Sequence, residues 1–153
     1  MANYIMDLRR LVGQRTLMMM GASVIVEDGD GRVLLQRRSD NGLWGYHGGA
    51  VEIDERVEDA ARRELFEETG LTAGTMALFG VFSGPEMHYT YPNGDDVSIV
   101  DALFLCRDWS GTPRAQESEV AELRFFARDA LPPDDEISPP NRPGLRRWKE
   151  RTW

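Results

Sequence analysis

Glu64, Glu67 and Glu68 occupy positions i, i+3 and i+4 of one short run, so an α-helix there places three carboxylates on one side. Like charges within about one turn repel one another and cost helix stability unless something positive lies between them. Arg63 stands beside them in the sequence. A hard divalent cation held by carboxylate and carbonyl oxygens meets the same need, Mg²⁺ being the commonest where phosphates are the partner. Gly48-Gly49, a little upstream, lets backbone approach a metal or phosphate with no side chain in the way. An isolated Glu-x-x-Glu-Glu has a blander reading as well, a solvated acidic face balanced by Arg62 and Arg63. The surrounding residues decide between the two.

Those carboxylates must be positioned by the rest of the chain. From about Arg56 to Thr69 the spacing predicts a helix, with Val57, Ala60, Ala61 and Leu65 as its apolar stripe. Asp54 or Glu55 favours its start and Gly70 stops it. Tyr4, Ile5, Leu8, Leu11 and Val12 predict a short amphipathic helix over 3–12 that ends near Gly13. Leu17–Val26 and Arg32–Gln36 read as strands, and Asp28-Gly29-Asp30-Gly31 between them makes the pair a hairpin. Met18, Met19 and Met20 read as buried strand packing. A brief strand is expected at Ala50–Glu52. Further strands are expected at Met76–Phe82, His88–Tyr91, Val97–Cys106 and Leu123–Phe126, with Pro92-Asn93-Gly94 as a turn. A proline-rich stretch leads into a C-terminal helix from about Pro143. Helices interleaved with strands, several of them in hairpins, indicate the α/β class with a mixed sheet and helices on its faces.

Composition narrows the function. The chain has 153 residues and no evident linker, so one domain over 1–153 is expected. Its single cysteine, Cys106, excludes an internal disulfide framework and a Cys-rich zinc site. The net charge of -8 argues against a nucleic acid polymer or an anionic membrane as partner, since both need a basic footprint. A small anionic substrate recruited through a cation remains compatible with it. The longest apolar run, 17–26, falls short of the roughly 20 residues a spanning helix needs. Asp7, Arg9 and Arg10 stand where a secretory signal carries its apolar stretch, so the expected location is cytoplasmic.

The stretch from Gly49 to Leu71, GAVEIDERVEDAARRELFEETGL, resembles the signature of the Nudix hydrolase family, G-x5-E-x7-R-E-U-x-E-E-x-G-U with U a bulky aliphatic residue. Gly49, Glu55, Arg63, Glu64, Leu65, Glu67, Glu68, Gly70 and Leu71 fill every fixed position. A chance match is on the order of one in ten million at ordinary residue frequencies. The resemblance implies an α/β/α sandwich and metal-dependent hydrolysis of the pyrophosphate bond in a nucleoside diphosphate linked to another moiety, X. It implies Mg²⁺ or Mn²⁺ held mainly by Glu67 and Glu68, with the Gly48 carbonyl as a further ligand. Glu64 becomes a ligand or the base that activates water, Arg63 holds glutamates in place by salt bridges, and Glu55 supports the junction of loop and helix. Two positions depart from the common pattern: many members carry proline where His47 stands and glycine where Asp54 stands. His47 then has two readings, a substrate contact or a loop histidine without catalytic role.

Residues outside the signature refine these expectations. Glu119, six residues before Phe125, resembles the additional acid that some members use as base or ligand; Glu117 is the runner-up, and a surface acidic loop is the other reading. Either Arg37 or Arg38 can grip phosphate, but strand alternation points them to opposite faces. Ser138–Pro143 resembles the segment of MutT-like nucleoside triphosphate pyrophosphohydrolases whose asparagine reads the base, so Asn141 selects a base or caps the last helix. Pro85 and Tyr89 fall near the subgroup positions of ADP-ribose and dinucleoside polyphosphate enzymes without matching both. Trp44, Phe82, Tyr89 and Tyr91 are candidates to stack a base, each with a sheet or core role as the alternative.

The expected function is thus a Nudix pyrophosphohydrolase, with a nucleoside triphosphate favoured over ADP-ribose, a nucleotide sugar or a dinucleoside polyphosphate. A non-catalytic nucleotide sensor on the same fold is the reading from another class, and an interaction module that offers the acidic face to a basic partner is a third. The first helix and exposed edge strands offer surfaces for a homodimer.

Overall fold

The computed structural model describes residues 3–151. In chain order its elements are α1 (Tyr4–Val12), β1 (Leu17–Val26), β2 (Val33–Arg38), β3 (Trp44–Gly45), β4 (His47–Ala50), α2 (Val57–Thr69), β5 (Thr72–Ala73), β6 (Met76–Phe82), β7 (His88–Thr90), β8 (Asp96–Cys106), β9 (Trp109–Ser110), β10 (Val120–Phe126) and α3 (Arg142–Glu150). The larger sheet runs β4-β1-β8-β6, with β7 also paired to β8. β1 and β8 are parallel from Leu17↔Val97 to Val26↔Cys106, and the other pairings are antiparallel, so the sheet is mixed. A smaller antiparallel sheet runs β10-β2-β3, and β5 pairs with β9.

Strand alternation sorts the side chains into layers. Ala22, Val24 and Val26 of β1 join Ala102 and Phe104 of β8 in one cluster with Ala60, Ala61 and Leu65 of α2. On the opposite face Ile25, Leu103 and Leu105 pack with Trp44, Leu145 and Trp148, from the smaller sheet and α3. Burying a side chain such as Leu65 or Leu145 contributes about 1.5–3 kcal/mol. β2 lies between the clusters, Leu34 in one and Val33 and Leu35 in the other, so its four leading residues are buried without alternation. The result is an α/β/α sandwich.

α1 starts on an Asn3 side-chain cap and ends at Gly13, whose φ of 71° lies in the left-handed region. Its buried Arg9 donates to the carbonyls of Gly13, Arg15 and Asp96, at 3.0, 2.6 and 2.9 Å. One guanidinium thereby ties the helix to the start of β8 in the larger sheet. No helix among the described residues is long and apolar enough to cross a membrane.

Several expectations are corrected. The Asp28–Gly31 turn forms, with Asp28 Oδ1 accepting from the amides of Asp30 and Arg32, but β1 and β2 are not a hairpin. They meet only at the Glu27↔Val33 bridge and then diverge into separate sheets, because β4 and β8 already occupy both edges of β1. Met18 and Met20 are 74% and 40% exposed, since the apolar cluster under α2 takes in β1 only from Ala22 onward. The brief strand falls at His47–Ala50 rather than Ala50–Glu52, and β10 begins earlier, at Val120. Neither Asp54 nor Glu55 caps α2, whose N-cap is Arg56 without a side-chain bond.

Asp54 instead has φ 63°, the one non-glycine residue with positive φ among those described. That accounts for the family's glycine at this position, because a β-carbon in the left-handed region is costly. We expect Asp54→Gly to be close to neutral and Asp54→Val to destabilise by about 1–2 kcal/mol, read from urea unfolding midpoints. Equal stability of the two variants would refute the strain.

Candidate active site

α2 packs across β4, and its polar flank faces the glycine pair there. A β-carbon on Gly49 would lie 2.5 Å from the Glu64 carboxyl, so this close approach requires glycine. The amide of Gly48 donates to Glu68 Oε2 at 3.0 Å, and Gln36 Nε2 donates to Glu68 Oε1 at 3.1 Å. Gln36 is held in turn by His47, whose Nδ1 lies 2.8 Å from Gln36 Oε1 and whose Nε2 lies 3.1 Å from the Leu34 carbonyl. His47 is fully buried. Of its two readings the substrate contact therefore falls away: the ring positions Gln36, and through it Glu68.

Arg63 gathers the remaining acids. Its Nε and one terminal nitrogen form a fork on Glu55, both at 2.9 Å, and the other terminal nitrogen donates to Glu64 Oε1 at 2.8 Å. It also reaches the Ala50 carbonyl at 3.1 Å and lies 3.6 Å from Glu67 Oε2. A bidentate Arg–carboxylate pair fixes geometry as well as charge, and here it holds the Glu55 carboxyl below its ordinary range.

The electrostatics divide the glutamates. Burial, then the charge of Glu64, pushes Glu68 up to about 8. Burial also raises Glu64, against the opposing hydrogen bond from Arg63. Glu119 adds repulsion to both. Among the described residues no three carboxylate or imidazole groups close around a single point as a cation cage; Arg63, Gln36 and the Gly48 amide hold the acids instead. The donor set nonetheless fits a hard divalent cation. Glu64, Glu67, Glu68 and Glu119 line one cleft with Gly48, all offering oxygen, and a cation there would relieve the cost that raises Glu64 and Glu68.

The cleft has two ends that share Gly48, Gly49, Glu68, Arg38 and Tyr91. The carboxylate end is walled by Asn3, Ile5, Met6 and Arg9 of the α1 region. The other end, a space of about 660 Å³ including its open mouth, reaches Asn141, Tyr46, Tyr89 and Asp101. Asn141 stands at the N-cap position of α3 without making a capping bond, so the capping reading is overturned. Arg38 lines the cleft, paired to Asp40 at 2.7 Å, whereas Arg37 turns to Glu122 and the Trp44 ring. Glu119 lines it and Glu117 does not. Tyr89 lines it while accepting from Asn41 Nδ2 at 2.9 Å. Trp44 and Phe82 belong to apolar clusters. Gln36, Tyr46, Asp101 and the α1 wall escaped sequence reasoning. Only Asp101 left a signal there, as the lone acid among the apolar alternate residues of its strand.

Comparison with known proteins places this geometry. The NUDIX domain family matches residues 18–148. A "MutT-like protein" of Streptomyces ambofaciens is 35% identical over 100 residues, 65% of this chain and 58% of that protein. An "ADP-ribose pyrophosphatase" of Methanocaldococcus jannaschii is 37% identical over 106 residues, 67% of this chain and 59% of that protein. The chain thus spans under two thirds of the length of these two curated relatives. The crystal structure of a MutT NUDIX hydrolase from Burkholderia pseudomallei superposes with TM-score 0.71 at 30% identity, covering 85% of this chain and 97% of the other.

Proton linkage gives a test that needs no substrate. Folded Glu68 keeps its proton up to about 8, whereas the ordinary value is 4.5. The folded state binds more protons across that window, so stability falls as pH rises through it. His47, pushed down to about 4 by burial, acts oppositely: its contribution is lost as pH falls below about 6.5. The metal-free melting temperature should therefore decline from about pH 6.5 to about pH 8.5. Glu68→Gln should flatten that decline, and Mg²⁺ should stabilise more at the alkaline end, where it displaces fewer protons. A parent profile that is flat above about pH 6.5 would contradict the burial of Glu68.

Proposed function

Because this chain belongs to the NUDIX domain family, we propose that it hydrolyses the pyrophosphate bond of a nucleoside diphosphate linked to a further group X, with nucleoside triphosphates preferred. The observation that carries the reading is the convergence of Glu64, Glu67, Glu68 and Glu119 beside Gly48-Gly49 in one cleft. Glu64, Glu67, Glu68 and the Gly48 carbonyl would hold Mg²⁺ or Mn²⁺. Such a cation, when bound, supplies neutralisation of phosphate oxygens and a lowered pKa for attacking water. Arg63 keeps Glu64 and Glu55 aligned. Glu64, held in place by Arg63 beside Gly49, is the carboxylate that would accept a proton from the attacking water; Glu119 is the alternative acceptor. Arg38 lies where the diphosphate would pass between the two ends.

Support for a triphosphate comes from Asn141, whose amide makes no capping bond and lines the far end of the cleft, where a base would sit. A second reading, ADP-ribose or another dinucleotide-type substrate, is favoured by one observation: Ile5 and Met6 line the carboxylate end, an apolar wall suited to an organic group X. With the glutamates all present, a non-catalytic sensor is the weaker account.

Glu64→Gln should keep the fold, by circular dichroism and melting temperature, while kcat falls by about 100- to 10,000-fold on the best substrate. The assay is a panel of nucleoside triphosphates, nucleotide sugars, dinucleoside polyphosphates and ADP-ribose with Mg²⁺ or Mn²⁺, read by product analysis. Chelation should abolish turnover throughout. Near-parental rates in the variant would remove Glu64 from its role, and no hydrolysis of any member by the parent would sink the proposal.

A further inference from the structure

The inward face of β8 is apolar at every position but one. Val97, Ile99, Leu103 and Leu105 are buried there, and between them Asp101 is 4% exposed. Its carboxylate accepts from Ser23 Oγ at 2.9 Å and, among the described residues, makes no ion pair. A buried acid with one hydroxyl donor is costly, and an apolar residue would pack there at less cost. Nothing in the hydrolytic arrangement uses it. Yet it is given room: Gly21 lies opposite it in the β1–β8 register, and a β-carbon there would fall 2.9 Å from Asp101 Oδ1. The same device recurs around this end of the cleft. Gly48 clears Ser23, Gly45 clears the Asn141 amide, and Gly144 clears the Tyr46 hydroxyl. That hydroxyl is buried, beside Asn141, without a hydrogen-bond partner of good geometry. Among the described residues the pocket thus holds one buried hydroxyl without a partner and one buried acid with a single donor.

We propose that Asp101 is a specificity-determining residue that reads the base of the nucleotide, selecting an edge with two adjacent N–H donors, as guanine presents. The proposal rests on the nucleotide reading of this cleft. A carboxylate has two oxygens and only acceptor capacity, so N1–H and the N2 amino group of guanine satisfy it as a pair. The neighbouring O6 then accepts a hydrogen bond from the Tyr46 hydroxyl or the Asn141 amide. Adenine and cytosine place a ring acceptor beside their amino group, and its lone pair would face a carboxylate oxygen. Uracil offers one donor between two carbonyls. A site built around buried acceptors rejects ligands that leave them unpaired.

Calorimetry with GMP, IMP and AMP in the presence of Mg²⁺ tests this without relying on turnover. The parent should bind GMP at least about tenfold more tightly than IMP, which lacks only the N2 amino group, the equivalent of about 1.4 kcal/mol, and more tightly than AMP. Asp101→Asn should erase the GMP preference while its melting temperature stays level or rises, since the buried charge is gone. Equal binding of GMP and IMP by the parent overturns the proposal, whatever the variant does, and so does a variant that weakens all three ligands alike. Hydrolysis of nucleotides without base preference would refute Asp101 alone. A GMP preference without hydrolysis of any substrate would refute the catalytic reading alone.

Discussion

Arg63 is the constraint on which the site depends. Four carboxylates, Glu55, Glu64, Glu67 and Glu68, lie on or beside one helix, and a chain of net charge -8 has little cation to spare for them. One guanidinium forks onto Glu55, reaches Glu64 and stands near Glu67, leaving Glu68 to the Gly48 amide and Gln36. Shielding is therefore unequal. The acids that Arg63 touches are kept in fixed positions, and the one it does not touch is buried far enough to hold its proton to about 8. A lysine would supply the charge without the fork, and a point charge cannot hold two carboxylates in defined orientations.

Much of this was legible in the sequence, for physical reasons that differ by element. The spacing of Glu64, Glu67 and Glu68 encodes a helix face directly, and the fixed positions from Gly49 to Leu71 gave the family and its sandwich. β1 and β8 were readable as strands because their apolar runs are long. Their pairing was not, because a parallel contact between segments about 80 residues apart leaves no local mark. The Asp28–Gly31 turn misled for a related reason: turn chemistry specifies a reversal, but the edges of β1 were already taken. Met18 and Met20 were misjudged because alternation gives the face and not how far the opposing layer extends. His47 and Gln36 form a chain of contacts behind Glu68 that only three-dimensional proximity reveals.

The two ends of the cleft obey opposite electrostatic rules. At the carboxylate end the acids are numerous, with half-buried Glu64 and exposed Glu67 close to an arginine and Glu68 buried, an arrangement that tolerates exchange of partners. At the far end Asp101, Ser23, Tyr46 and the Asn141 amide are each pressed against a glycine, so they have little freedom to reorient. The first suits a reacting group whose charge changes, and the second suits recognition of a shape that stays constant.

The α1 wall has a consequence of its own. The family match begins at residue 18, so Ile5, Met6 and Arg9 enclose the carboxylate end from outside the shared domain. Their helix is moored chiefly through Arg9 and through the Tyr4 amide, which donates to Glu52 at 2.8 Å. Substitutions along that outer segment can remodel the carboxylate end of the cleft while every signature glutamate stays in place. Divergence of substrate among such chains then has a route that comparison of their signatures alone would never detect.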